Sequence, residues 1–352
     1  MDTRNWMLRC RHGAAVVLLA GLAACGGGGG GGGGSEPPAG LAGNFFPLAV
    51  GDRWVYDIGS GAALTVRASG TRTVDGQTGI VVLTEDPTDG SAESVYIVTA
   101  AAVRQVPTLG GDPLVSAIGP LDVMRFPLVA GDRWTQIDKT LDTGMDFDGD
   151  GRLERATVHS EVQVIGLETV TTPVATFTGS LHQRTTLTVG VMLTSMPQTI
   201  TVVTTVDDWY APDIGPVRTT LLITSQGVSE TQTVALTAYR VGTLRSDEVA
   251  PTVLAVTPAD GGTMRADGHL VVNFSEAMDF GSVAAAVTLT TTGGQPVPLS
   301  VSAQGNSYSF HSSGGLATGR YTARVATGAA DLFGNPLAQA TTWTFDIVAT
   351  GP

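Results

Sequence analysis

The feature that most constrains the fold is a series of segments in which apolar and polar residues alternate with a period of two. Residues 156–166 (ATVHSEVQVIG) and 199–210 (TITVVTTVDDWY) show this alternation clearly, and Gly, Pro and Asp separate such segments. Alternation with this period places the apolar side chains on one face of a β-strand. We therefore predict an all-β protein whose N-terminal part is an antiparallel β-meander with long strands.

A nine-residue motif occurs twice, eighty residues apart. FPLAVGDRW at Phe46–Trp54 returns as FPLVAGDRW at Phe126–Trp134, and the copies differ only by an exchange of Ala and Val. Proline cannot donate to a β-ladder, Gly-Asp favours a turn, and the tryptophan then opens a strand. The motif predicts two related halves within residues 44–245. We interpret Trp54 and Trp134 as core residues; an aromatic platform for a sugar or lipid is the alternative.

The repeat motif resembles the start of uncharacterised bacterial secreted and lipoprotein domains. In those domains a Trp-Tyr pair and an APGIG-like turn commonly follow, and here they appear as DDWYAPDIGPVR at Asp207–Arg218. Asp213 stands where glycine is usual. The resemblance covers about residues 44–245 and implies no established activity.

A charged and proline-punctuated stretch, residues 244–262, marks a domain boundary. Beyond it, residues 250–348 resemble a bacterial Ig-like domain of the kind found in surface-layer and other envelope proteins. The matching segments include LVVNFSEAMD at Leu270–Asp279 and TTWTFDI at Thr341–Ile347. The resemblance implies an Ig-like β-sandwich of about seven short strands that serves as a spacer or adhesion module.

The N-terminus has the layout of a secretory leader. Three arginines precede an apolar run, Gly13–Ala24, which is too short for a comfortable membrane span and ends in small residues. The closing LAAC, Leu22–Cys25, resembles the lipobox of bacterial lipoproteins. This resemblance implies that residues 1–24 are a signal peptide and that Cys25 carries acyl chains. An ordinary signal peptide with a chance cysteine is the alternative.

Residues 25–43 contain the proposed lipidated cysteine and a glycine-rich tether. Nine consecutive glycines, Gly26–Gly34, cannot pack and predict a flexible linker. In bacterial lipoproteins an aspartate directly after the cysteine favours retention at the inner membrane, and here that position is Gly26. We therefore expect a lipid anchor in the outer membrane, with the protein facing the periplasm or the cell surface.

Cysteine usage and charge exclude several functions. Cys10 lies in the leader and Cys25 is the proposed lipid site, so the residues after the tether form no disulfide. The formal net charge is −13, and Lys139 is the only lysine. Without a basic stripe to neutralise phosphates, a nucleic-acid partner is not expected.

The strongest candidate for a metal site is the segment DFDGDGRLER, residues 146–155. Its three alternating aspartates and following glycine fit the start of an EF-hand calcium loop. Position twelve is Thr157 instead of a bidentate glutamate, and the next residues alternate like a strand, so this is not an EF-hand. The segment resembles the aspartate-rich calcium turns between strands of extracellular proteins, which implies a structural calcium ion. The candidate ligands are Asp146, Asp148, Asp150, Arg152 through its carbonyl, and Glu154.

An acidic turn without any metal is the alternative for this segment. Arg152 and Arg155 are close enough in sequence to neutralise part of its charge. If calcium does bind, we expect Asp142 or another strand to supply the missing ligand.

Recognised catalytic patterns are absent from the sequence. It contains no His-Glu-x-x-His, Cys-x-x-Cys, G-x-S-x-G or phosphate-loop motif. We therefore predict no enzymatic activity. The leading hypothesis is a lipid-anchored cell-envelope protein whose Ig-like module spaces the β domain or mediates adhesion, with an envelope protein or polysaccharide as partner.

The alternative function is a carrier for a lipid or other apolar ligand in residues 44–245. A deep apolar concavity in that domain favours the carrier, whereas a filled core favours the structural function. A hydrolase of the envelope is a third and less favoured hypothesis.

Overall fold

The computed structural model describes most of the chain beyond the tether. The described residues are 40–59, 63–86, 90–107, 118–196 and 198–348.

The chain divides into two compact units, which meet in sequence between Ser246 and Asp247. Strands dominate both units, so the predicted all-β fold class is confirmed. The signal peptide at 1–24, Cys25 and the glycine run lie outside the described residues.

One antiparallel sheet of 13 strands forms the N-terminal unit. Its strands are β1 Arg53–Asp57, β2 Ala63–Val74, β3 Gln77–Asp86, β4 Gly90–Val98, β5 Ala102–Pro107, β6 Leu121–Arg125, β7 Arg133–Asp142, β8 Arg155–Thr171, β9 Thr176–Met192, β10 Thr199–Ala211, β11 Gly215–Ser225, β12 Val228–Val241 and β13 Leu244–Arg245. The order across the sheet is β6-β5-β4-β3-β2-β1-β12-β11-β10-β9-β8-β7, and β13 pairs with β12. Two six-stranded meanders therefore lie side by side and join where β1 pairs with β12.

The repeated motif occupies equivalent places in the two meanders. In each copy, two backbone hydrogen bonds anchor the Gly-Asp turn to a single residue, on β2 in the first copy and on β8 in the second. Those bonds are Gly51 N to Ala68 O (2.9 Å), Ala68 N to Asp52 O (2.9 Å), Gly131 N to Val164 O (2.7 Å) and Val164 N to Asp132 O (2.9 Å). Directly after this anchor the register of both β2 and β8 shifts, at Gly70 and at Gly166. Both copies of the motif therefore form the same turn, and each turn docks on a residue outside the motif just before a register shift.

Both motif tryptophans lie in the core and contact the other half of the unit. Trp54 is 0% exposed, and its indole Nε1 donates to the carbonyl of Ile214 at 2.7 Å. Trp134 is 9% exposed, and its Nε1 donates to the carbonyl of Asp122 at 3.2 Å. With both rings buried, neither tryptophan offers a platform to a sugar or lipid.

The sheet curls until its end strands, β6 and β7, approach each other. No strand pairing joins them within the part of the chain that the structure describes. Instead, side chains donate to two backbone carbonyls of β6: Gln136 Nε2 and Trp134 Nε1 to Asp122 O, and Gln183 Nε2 to Val123 O at 2.9 Å. We call these contacts the side-chain seam.

Two apolar clusters fill the curl, with a polar layer between them. Along β8, β10 and β11, the inward-facing side chains are apolar at both ends and polar in between. On β10, for example, Val206 lies in one apolar cluster, Asp208 in the polar layer and Tyr210 in the other cluster. The polar layer consists of Ser160, Gln183, Thr185, Asp208 and Thr219.

The C-terminal unit consists of two four-stranded sheets and one short helix. Its elements are β14 Val253–Thr257, β15 Gly262–Arg265, β16 Leu270–Phe274, α1 Phe280–Ala286, β17 Val287–Thr291, β18 Ser300–Gln304, β19 Ser307–His311, β20 Gly319–Val325 and β21 Thr341–Val348. The sheets have the orders β14-β16-β19-β18 and β15-β21-β20-β17.

Strand alternation builds the core of this unit. Leu270, Val272 and Phe274 on β16 are all at most 1% exposed, while the residues between them are partly exposed. The sequence predicts about seven strands, whereas the described residues contain eight. The additional strand is β15, a four-residue segment that pairs in parallel with β21 and has no clear period of its own.

Candidate functional site

The acidic turn connects β7 to β8 and brings four carboxylates together. One oxygen each of Asp146, Asp148, Asp150 and Glu154 lies within 4.8 Å of the others. Oxygen ligands at about 2.3–2.6 Å from one calcium ion lie at most about 5 Å apart, so this spacing suits a single calcium. Arg152 is exposed, and its backbone N–H donates to Asp150 Oδ1 at 2.8 Å.

Two glycines give the turn its shape. Gly149 and Gly151 have φ values of 79° and 86°, a left-handed conformation that favours glycine. Their N–H groups donate to the two oxygens of Asp146, at 2.6 and 2.9 Å. These hydrogen bonds also satisfy a turn that holds no ion, so the two interpretations of the segment share this geometry.

The β9–β10 connection supplies further partners that sequence reasoning missed. Ser195 donates its backbone N–H (3.0 Å) and its hydroxyl (2.7 Å) to Asp148 Oδ2. The hydroxyl of Thr194 lies 2.8 Å from Asp150 Oδ2 and 3.2 Å from Glu154 Oε1. The hydrogen bond from the Ser195 hydroxyl is the main reason that the pKa of Asp148 is lowered.

Glu154 is the buried member of the group. Its side chain is fully covered, and its Oε2 accepts the backbone N–H of Phe147 at 2.6 Å. Asp142, which we considered as an additional ligand, instead pairs with Arg155 at 3.1 Å. Thr194 and Ser195, in the connection between β9 and β10, donate hydrogen bonds to these carboxylates, and the source of an additional ligand stays a prediction.

A second polar cluster lies on the outer face of the sheet, across β8, β9 and β10. His182 bridges two carboxylates: its Nδ1 lies 2.9 Å from Glu168 Oε1, and its Nε2 lies 2.7 Å from Asp207 Oδ1. Arg184 binds both oxygens of Asp207, at 2.8 and 3.0 Å. Trp209 stacks on the imidazole with ring centroids 4.6 Å apart and donates its indole N–H to Glu168. We call these five residues the outer charge network.

The outer charge network favours the ionised form of each of its four titratable side chains. Burial lowers the pKa of His182, but its hydrogen bonds to Asp207 and Glu168 outweigh burial and raise the pKa overall. Burial likewise raises the pKa of Asp207, but the hydrogen bonds from His182 and Arg184 bring the net pKa below its usual value. The indole N–H of Trp209, followed by His182, lowers the pKa of Glu168. Through Glu168, His182 and Asp207, the outer charge network connects the three strands β8, β9 and β10.

The inner face of β10 carries a carboxyl group, Asp208, whose neutral form is favoured. Asp208 is buried in the polar layer, and burial raises its pKa to about 7, although the hydroxyl of Thr219 donates to it at 2.6 Å. A cavity of about 30 Å³ adjoins it, lined by Gln183 and Tyr210 among others. No described residue donates to Gln183 Oε1. A cavity of this size has room for about two water molecules.

A wider opening of about 380 Å³ lies on the surface near β5 and β6. Charged side chains of Arg104, Asp122 and Arg125 line it, and both arginines pair with Asp122, at 2.8 and 3.2 Å. This surface cleft is therefore mixed in polarity and is not an apolar concavity.

A third group of carboxylates lies within the C-terminal unit. Oxygens of Asp247, Glu276 and Asp331 lie within 4.8 Å of one another. Burial, followed by the charges of Asp247 and Asp331, raises the pKa of Glu276. Asp331 Oδ1 accepts the backbone N–H groups of Phe333 and Asn335 at 2.7 and 2.8 Å, so its position is explained by the turn that it stabilises.

The fold and these sites define an all-β protein that ends in an Ig-like sandwich. Residues 247–347 match the family model described as the bacterial Ig-like domain. The Ig-like resemblance of the C-terminal segment is confirmed by this match.

Several solved structures are similar to parts of this chain. PcoC, a methionine-rich copper resistance protein from Escherichia coli, is 20% identical; the alignment covers 28% of this chain and 100% of PcoC, with a TM-score of 0.25. A candidate lipoprotein from Parabacteroides distasonis is 16% identical over 56% of this chain and 98% of its own, with a TM-score of 0.32. A candidate exported protein with a YmcC-like fold from Bacteroides fragilis is 15% identical over 56% of this chain and 100% of its own, with a TM-score of 0.30.

No curated protein matches the chain. Within the described ranges, no helix has both the length and the apolar character needed to span a membrane.

Proposed function

We propose that this chain is a non-catalytic, lipid-anchored protein of the bacterial outer membrane. Cys25 carries the anchor, and the glycine run holds the folded units away from the lipid surface. The Ig-like module acts as a spacer or adhesion element for the N-terminal sheet, towards an envelope protein or polysaccharide. The acidic turn of that sheet is stiffened by calcium.

The packing of two apolar clusters among the described residues of the N-terminal unit is the observation that carries this proposal. The cavity at the polar layer measures about 30 Å³. Pockets for small-molecule ligands typically measure about 300–1,000 Å³. The interior therefore favours a structural function over an apolar-ligand carrier. A lipid that co-purifies with the protein in about equimolar amount, detected by mass spectrometry, would instead establish the carrier function.

The lipid anchor is tested by exchanging its cysteine. In cells fed an alkyne-labelled fatty acid, the wild-type protein should incorporate the label and sediment with membranes. Cys25→Ala should lose both properties, because several acyl chains provide the anchoring energy. Cys10→Ala is the matched control, since it removes the other cysteine, and should keep both. Labelling of Cys25→Ala at the wild-type level would refute the anchor.

The proposed membrane is tested at the neighbouring position. Gly26→Asp should move the protein from the outer-membrane to the inner-membrane fraction of a sucrose gradient while its acyl label stays unchanged. If wild-type protein already sediments with the inner membrane, the outer-membrane assignment is wrong.

Calcium binding is tested by thermal unfolding and calorimetry. Millimolar calcium should raise the melting temperature, because extracellular sites of this type bind with dissociation constants on the order of 10⁻⁴–10⁻³ M. Asp148→Asn should abolish the shift. Asp138→Asn, in the same hairpin but outside the turn, is the matched control and should retain it.

The acidic-turn alternative makes the opposite prediction. If calcium neither changes the melting temperature of the wild-type protein nor releases binding heat, the turn is satisfied by its own hydrogen bonds and by Ser195. The spacer proposal does not depend on this result.

The role of the Ig-like module is tested by removing residues 247–348 from the anchored protein. The shortened protein should still reach the membrane, whereas cross-linking to its envelope partner, or adhesion of the cells to isolated envelope polysaccharide, should fall. Unchanged cross-linking and adhesion would show that the module is not the contact element.

A further inference from the structure

Two histidines of the Ig-like unit face each other across neighbouring strands. Leu270 on β16 pairs with Phe310 on the antiparallel β19. His269 and His311 are the next residues outward from this pair, so the register places them directly opposite each other. Opposed residues on antiparallel strands have Cβ atoms about 4.5–5.5 Å apart.

The two imidazoles are close enough to share one metal ion. Their ring centroids are 5.2 Å apart, and the ring planes differ by 21°. A metal–nitrogen bond of about 2.0–2.1 Å places the centroids of two imidazoles on one tetrahedral ion about 5 Å apart. The rings are stacked in this structure, so both must rotate before their lone pairs aim at one ion, and the broad χ2 energy well of histidine permits this rotation.

The nitrogen atoms of the pair are suited to metal binding. His269 is exposed, and its Nδ1 lies 2.9 Å from the hydroxyl of Ser309. When Nδ1 donates to this hydroxyl, Nε2 carries the lone pair that a metal ion can accept. A polar partner on the second ring nitrogen is typical of histidines that bind metals, because it fixes tautomer and orientation.

His311 contains an unsatisfied buried atom. Its Nδ1 is covered, and the residues that the structure describes provide no hydrogen-bond partner for it. If the proton sat on Nδ1, a buried donor would be left unpaired, at a cost of about 1–3 kcal/mol. Protonation on Nε2 leaves Nδ1 as a buried acceptor without a partner and also removes the lone pair that a metal ion would need. A metal ion on Nε2 requires the Nδ1–H tautomer and supplies binding energy to offset its cost.

The other described histidines lack this arrangement. His182 has both nitrogens occupied by the carboxylates of Glu168 and Asp207. His159 lies beside Asp138, with 3.4 Å between Nδ1 and Oδ2. The pair in the Ig-like unit is thus the place where two imidazoles meet within the described ranges.

We propose that His269 and His311 form a chelate site for one divalent transition-metal ion of the zinc, nickel and copper class. Water completes the coordination shell, and Ser309 is a positioning residue that orients the ring of His269. Bound metal bridges β16 and β19 at one end of their ladder. This proposal is independent of the calcium turn, whose ligands are all oxygen atoms in the other unit.

Calorimetric titration of the full chain with Ni²⁺ tests the site. Millimolar calcium is kept in the buffer, because it occupies oxygen-rich sites without competing for imidazole. We expect one Ni²⁺ per chain. Loss of a second-shell partner weakens metal binding about 10- to 100-fold, so removal of a ligand in His269→Asn or His311→Asn should weaken it at least as much.

Controls separate coordination from folding. His159→Asn removes an exposed histidine elsewhere and should leave Ni²⁺ affinity unchanged. Ser309→Ala should weaken binding by about tenfold or more while retaining the one-to-one stoichiometry. Without metal, the melting temperatures of His269→Asn and His311→Asn should match the wild type, since neither ring lies fully in the core.

The Cu²⁺ electron paramagnetic resonance spectrum counts the ligands directly. Two nitrogen couplings are expected for the wild type and one for each single variant, with Cu²⁺ binding more tightly than Ni²⁺ or Zn²⁺ as the general order of affinities requires. Three results would each overturn the site: failure to bind Ni²⁺, wild-type affinity in a variant that combines His269→Asn with His311→Asn, or a wild-type spectrum with one nitrogen coupling.

Discussion

Asp207 and Asp208 are neighbours on β10, and their side chains leave the strand on opposite faces of the sheet. Asp207 faces outward to a histidine and an arginine, which lower its pKa despite partial burial. Asp208 faces the polar layer, where burial raises its pKa to about 7. The alternation of a strand therefore gives two chemically identical residues opposite charge preferences.

The raised pKa of Asp208 makes stability fall as the pH rises. The unfolded carboxyl ionises near pH 4, whereas the folded one keeps its proton up to about pH 7. Stability is therefore lost across this window, by about 4 kcal/mol once the group is ionised. Asp208→Asn should unfold at higher denaturant concentration than the wild type at pH 8.

Below pH 4 the two proteins should have nearly equal stability, because both then carry a neutral side chain at this position. Equal stabilities at pH 8 would show that Asp208 is not protonated in the folded protein at neutral pH.

The contribution of His182 to the stability of the protein should also fall as the pH rises, but for a different reason. Its folded pKa is raised, so its contribution is fully present below the unfolded value of about 6.5 and is lost as the pH rises through the folded pKa. His182→Gln should destabilise the protein on the order of 2 kcal/mol at pH 5.5, because charge-assisted hydrogen bonds to two carboxylates are lost. At pH 9 the difference from the wild type should be smaller, measured by urea unfolding at both pH values. A destabilisation that does not change with pH would indicate packing alone.

At the scale of secondary-structure elements, the side-chain seam is the least conventional contact in the N-terminal unit. Gln183 donates to the carbonyl of Val123 on β6, which pairs with a strand on one side only. Gln183→Leu should cost about 1–3 kcal/mol, because it removes this buried hydrogen bond. Amide hydrogen exchange should accelerate more in β6 than in β1.

Gln163→Leu is the matched control for the seam. Gln163 lies on the outer face of β8, between the buried residues Val162 and Val164. The same substitution there should leave exchange in β6 unchanged. Equal acceleration by both substitutions would mean that the seam hydrogen bond does not hold β6 in place.

The sequence predicts a strand, turn or side-chain cluster well when that feature depends only on residues close together in the chain. The period-two pattern of residues 156–166 and 199–210 lies within β8 and β10, and the Gly-Asp turn precedes β1 and β7 as expected. The four carboxylates of the acidic turn follow from their spacing within nine residues. Each of these features depends only on neighbours in sequence.

Other contacts depend on which strands lie side by side, and a single sequence does not show this. Ser195 reaches Asp148 from 47 residues away, and Gln183 reaches Val123 from 60 residues away. His182 gains its partners from the strands on both sides. In each case the chemistry is set by strand order and register, which alternation alone leaves open.

At the scale of the whole molecule, the two units predict different responses to truncation. A chain that ends at Ser246 keeps every strand of the N-terminal sheet and should retain the cooperative unfolding of that unit. A chain that ends at Gly227 lacks β12, which lies at the middle of the sheet, and should not fold. Circular dichroism during heating distinguishes the two. A cooperative transition in the shorter chain would show that each meander folds alone.

The pairing of β1 with β12 also sets the order of events during synthesis. Thr237 on β12 bonds to the carbonyl of Val55 on β1, which the ribosome makes 182 residues earlier. Until β12 emerges, the first meander has an open strand edge, and such edges recruit other chains. Contacts at this sequence separation also slow folding. The nascent protein is therefore prone to associate with other chains until β12 has been made and covers the edge of β1.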